Sequence, residues 1–188
     1  MLEELGDLEF SMFSDLANLR LEAIQLLEEG LNSGDVSGVM RFIERQLGQE
    51  PPSLLLLTEL TSDFYQRLDM LHEHHADVRE RVVRVLREDY GVDITCLAPP
   101  IALDQYHHLS ADEILWLVRE SADVEEDLPL LACVIQASLD KAAELQRKIE
   151  LADQVLRLLD DWLDGISATV ARRYGNLLAG KSHLDLWH

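Results

Sequence analysis

The chain has 188 residues with 36 acidic and 16 basic side chains, a formal net charge of −20, and apolar residues make up 47% of it. No stretch is basic: successive fifty-residue blocks run −8, −4, −7, and −1 for the remainder. Phosphate neutralisation drives nucleic-acid affinity and anionic lipid attracts bases, so neither nucleic acid nor a membrane surface is an expected partner. Leucine is spread through the whole chain, which excludes a disordered segment as its main state. No apolar run, Leu54–Leu57 included, approaches the roughly 20 residues a membrane span needs. The opening Met1–Asp7 has no basic n-region, so no secretory leader is expected. With only Cys96 and Cys133, no disulfide framework is visible. The expected location is the cytoplasm.

No β-alternation extends beyond a few residues, and the pattern predicts an all-α protein: an elongated bundle of about five helices in a single domain. Within it, 1–50 hold the N-terminal helices, 53–90 a long helix, and 92–109 a packed crossover. Residues 110–178 hold a capped helix and a long C-terminal helix, and 182–188 form an anchoring tail. The first helix is predicted from Leu2 to Leu31, with a stripe of Leu5, Leu8, Met12, Leu16, Leu19, Ala23 and Leu26. Asn32-Ser33-Gly34 ends it. Asp35 is the expected N-cap of a short helix over Val36–Leu47, closed by Gly48 and Pro51-Pro52.

The third helix is predicted over Ser53–Tyr90. Its stripe is Leu57, Leu60, Phe64, Leu68, Leu71, His75, Val78, Val82 and Val85, with Asp77–Arg81 and Glu80–Arg84 as i,i+4 pairs and Gly91 as C′. Ser110-Ala-Asp-Glu113 is a capping box opening the fourth helix, with Leu109 and Ile114 as its hydrophobic staple. The acidic run Asp123–Asp127 and Pro129 suit the first turn of the fifth.

The fifth helix carries a coiled-coil-like seam. Every seventh residue from Ile135 is apolar: Ala142, Ile149, Leu156, Leu163, Val170 and Leu177. Three positions after each come Ser138, Leu145, Ala152, Leu159, Ile166 and Arg173. Unbroken from Leu128 to Leu178, such a helix is roughly 76 Å long, against about 40 Å for a compact chain of this length. It therefore either breaks, near Gly165 or Gly175, or packs on a second copy. The predicted homodimer interface is Ile135, Ala142, Leu145, Ile149, Ala152, Leu156, Leu159, Leu163, Ile166 and Val170. Lys141, Arg147, Lys148 and Arg157 flank it and offset repulsion, and association should strengthen with salt.

Site chemistry is sparse. His72, His74 and His75 cluster with Glu73, but no His-x-x-x-His exists and His75 falls on the apolar stripe, which reads as a satisfied core histidine. His107-His108 read as a wet loop pair. No Glu-x-x-His, phosphate loop or nucleophile elbow is present. Both cysteines lack a basic neighbour in sequence and read as inert core residues.

Paired carboxylates one turn apart are the only enzyme-like pattern: Glu4–Asp7, Glu120–Asp123 and Glu150–Asp153. Two such helices facing each other suit Mg²⁺ and a triphosphate. Glu4-Leu-Gly-Asp7 and Glu150-Leu-Ala-Asp153 resemble the Glu-x-x-Asp half of the all-α nucleotide pyrophosphohydrolases of the MazG type. That resemblance implies Mg²⁺ as cofactor, with Glu120, Asp123, Glu150 and Asp153 as ligands. The family's upstream Glu-x-x-Glu does not precede Glu4, and Glu120–Asp123 has Asp for its second Glu. Asp160-Asp161-Trp162-Leu163-Asp164 resembles the Asp-Asp-x-x-Asp of prenyl-transferring enzymes, without a second acidic motif. A solvated acidic face accounts for both patterns more simply. The reading adopted is a non-enzymatic helical interaction module without a cofactor, an adaptor, assembly factor or regulator, whose partners are itself and another protein. The alternative is the Mg²⁺-dependent pyrophosphohydrolase.

Overall fold

The structure is a computed structural model that describes residues 2–49, 52–93, 109–121 and 128–184, with side chains over 14–49, 52–93, 109–120 and 128–169. These residues form five helices and no strand: α1 (Leu2–Ser33), α2 (Ser37–Leu47), α3 (Leu54–Tyr90), α4 (Ala111–Ser121) and α5 (Leu128–Leu184). Most of the crossover over 94–108, the acidic run over 123–127 and the last four residues of the tail lie outside the described residues. The chain divides into two compact units. The first is Met1–Gln66 with Leu151–His188, and the second is Arg67–Glu150.

In the first unit, Gly34 ends α1 with φ +83°. Its N–H and that of Asp35 both reach the Gly30 carbonyl, at 2.8 and 3.1 Å. The turn doubles back so closely that a Cβ on Gly30 would lie 3.0 Å from the Asp35 carbonyl oxygen and 3.1 Å from the Val36 Cα, a tight fit that glycine relieves. Asp35 accepts the Ser37 N–H on Oδ1 at 2.9 Å. That bond holds its carboxyl below the usual range. Asp35 thus caps α2 from one position further out than the sequence suggests, within the normal latitude of helix ends. Ser53 opens α3 by accepting the Leu56 N–H at 3.3 Å.

The apolar stripes face inward, burying Ala23, Leu27 and Leu31 of α1, Val39, Phe42 and Ile43 of α2, Leu56, Leu57, Leu60 and Phe64 of α3, and Val155, Leu156 and Leu159 of α5. Polar bonds then tie helix to helix. The Arg20 guanidinium forks onto Asp63 at 2.8 and 3.0 Å and reaches Glu59 at 2.9 Å. Its hydrogen bond to Asp63 raises its pKa further above the ordinary guanidinium value. Tyr65 donates its hydroxyl to Asp160 at 2.5 Å, which raises the phenol's pKa above 10.

In the second unit, Gly91 stops α3 with φ +68°, and Val92 turns inward as its N–H reaches the Leu86 carbonyl at 2.9 Å. The capping box forms: Glu113 accepts both the N–H and the hydroxyl of Ser110 at 2.8 Å, while Ser110 accepts the Glu113 N–H at 3.4 Å. The backbone bond lowers the Glu113 pKa. Leu109 packs against the cluster that contains Ile114, as a staple requires. That cluster joins Val82, Val83, Leu86 and Val92 to Ala111, Ile114 and Val118 of α4 and to Leu131 and Ile135 of α5.

The fifth helix runs 57 residues to Leu184 without a break at Gly165 or Gly175. A helical glycine costs only about 1 kcal/mol against alanine, and a Cβ on Gly165 would meet nothing within 4 Å. No helix among the described residues is long and apolar enough to cross a membrane.

Candidate functional site

Seven of the ten expected interface positions are buried within a single chain: Ile135, Ala142, Leu145, Ile149, Ala152, Leu156 and Leu159 are 0–6% exposed. Leu163 and Ile166 are half-buried, and the Val170 side chain lies outside the described ones. Three of the four bases expected to flank the interface are paired along their own helix. Lys141 and Lys148 both hold Glu144 at 2.9 Å, and Arg157 pairs with Asp153. The two lysine bonds pull the Glu144 pKa down to about 2.

The opposite face of α5 differs. Leu130, Cys133, Val134 and Ala137 are all exposed, Leu130 at 63% and Val134 at 39%. Their spacing of i, i+3, i+4 and i+7 makes one continuous stripe over two turns. Behind it, the same turns bury Leu131 and Ile135. An amphipathic helix at a surface turns its polar side to water; these two turns are apolar on both sides. The same line of positions continues as the Lys141–Glu144–Lys148 ladder. On α4, Trp116 is 60% exposed, on the side away from the buried Ile114 and Val118.

Cys133 corrects the expectation of an inert core residue: it is a free, exposed thiol. It stands two residues from Leu131 and from Ile135, about 200° round the helix from each, so the phase that buries those two turns it outward. Cys96 lies outside the described residues.

The described carboxylates of the alternative reading are Glu120, Glu150 and Asp153. Glu120 and Glu150 are exposed on α4 and α5, Glu150 accepts from Gln146 at 3.2 Å, and Asp153 holds Arg157. Asp123, and the side chains of Glu4 and Asp7, lie outside the described ones. Among the described residues, no three His, Cys, Asp or Glu side chains come together in a way that would hold a metal. His72 and His74 are exposed and His75 is half-buried, accepting from Arg79 Nε at 3.4 Å. In the Asp-Asp-x-x-Asp segment, Asp160 is engaged by Tyr65 while Asp161 and Asp164 face solvent.

An open groove of about 390 Å³ lies between α1 and α2, lined by Glu22, Leu26, Gly38, Arg41, Phe42 and Arg45. Arg45 closes one side, 5.3 Å over the Phe42 ring and 3.4 Å from Glu22.

The exposed stripe on α5 is the feature that reasoning on the heptad pattern passes over. The signal was present as four apolar residues at helical spacing, but the stronger seam beside it absorbed the first two turns into one face. Comparison with known protein families, curated proteins and solved structures finds no match to this chain.

Proposed function

We propose that this chain is a non-enzymatic helical interaction module of the cytoplasm, an adaptor, assembly factor or regulator that acts as a homodimer and engages another protein. The observation that supports this is the pair of α5 turns with apolar residues on both faces. Leu131 and Ile135 are covered from within, whereas Leu130, Cys133, Val134 and Ala137 meet water. An apolar stripe rimmed by polar residues is what a protein-binding surface presents before it is covered. The Mg²⁺-dependent pyrophosphohydrolase requires carboxylates gathered round one cation, and Glu150 and Asp153 are instead each bonded along their own helix.

Two experiments test the reading. The full chain and a Leu130→Glu/Val134→Glu variant serve as baits in the native host, and a partner bound by the first and lost by the second supports it. Incubation with nucleoside triphosphates and Mg²⁺ or Mn²⁺ tests the rival: pyrophosphate release abolished by Glu150→Gln overturns the interaction reading.

A further inference from the structure

We draw no further inference here: the strongest candidate, the open groove between α1 and α2 over Leu26, Gly38 and Phe42, has its Arg45 already paired with Glu22, and nothing in the structure shows what covers it.

Discussion

Two stretches of one helix face carry opposite chemistry. From Leu130 to Ala137 the outer side of α5 is apolar and exposed; from Lys141 to Lys148 it is a ladder of two lysines on one glutamate. Both belong to the same unit. The ladder satisfies itself: its bonds run along the helix and ask nothing of a neighbour. The apolar stretch has no such internal solution, because apolar area leaves water only against another surface. A face that changes character within one turn is thus divided into a part that is finished and a part that is not.

The largest expected effect breaks the comparison from behind. Ile135→Ala truncates the buried side of the same two turns and should cost about 3 kcal/mol in chemical denaturation. Val134→Ala, one residue away and exposed, should stay within about 0.5 kcal/mol in dilute protein. Equal costs would mean that the two faces are not distinct. Next comes binding of another protein. Val134→Glu should weaken it at least about tenfold, while Lys141→Ala should change it less than about twofold, since the ladder pairs are worth only a few tenths of a kcal/mol. Capture from the native host at matched bait concentrations reads both. In light scattering, raised salt should favour the dimer by screening two −20 bodies.

A smaller effect sits at the start of α4, where Glu113→Ala removes half of the capping box and should cost about 1 kcal/mol, seen as a lower denaturation midpoint. The ladder gives the smallest. Glu144 titrates near 2 in the folded chain against an ordinary 4.5. A depressed carboxyl contributes stability above its unfolded pKa and loses it as pH falls through the folded one. Stability from this group should therefore decline between pH about 4.5 and about 2, and Glu144→Gln should remove that slope. Because Glu144 and its lysines are partly solvated, the difference should be a few tenths of a kcal/mol.

Much of the architecture was legible because its causes are local. Gly34 and Gly91 take the positive φ that stops a helix, and Ser110–Glu113 caps α4 through its own bonds. Along α3 the stripe emerges buried at Leu57, Leu60, Phe64, Leu71 and Val82. The Glu80–Arg84 pair forms at 3.8 Å. What covers a stripe is not local. The heptad pattern marks the side of α5 that leaves water, yet burial by the same chain and burial by a second copy ask for the same residues, and the structure covers seven of those ten from within. Cys133 was misread for a related reason: apolar neighbours in sequence are not neighbours on a helix, and two positions carry a side chain to the far side. The alternative of a break near Gly165 or Gly175 fails because one helical glycine is a small cost beside 57 residues of continuous helix. The carboxylate pairs show the same limit. Glu150–Asp153 has the right spacing for one face, but spacing does not say whether a second acidic helix faces it.

The most direct measurement is the alkylation rate of Cys133 in the full-length Cys96→Ser chain, taken in dilute protein and compared with the same chain in denaturant. The thiol lies at the centre of the exposed stripe. It should react as an open thiol, within several-fold of the denatured chain. A rate slowed far below that would contradict the account, because the stripe would then be covered in the free chain.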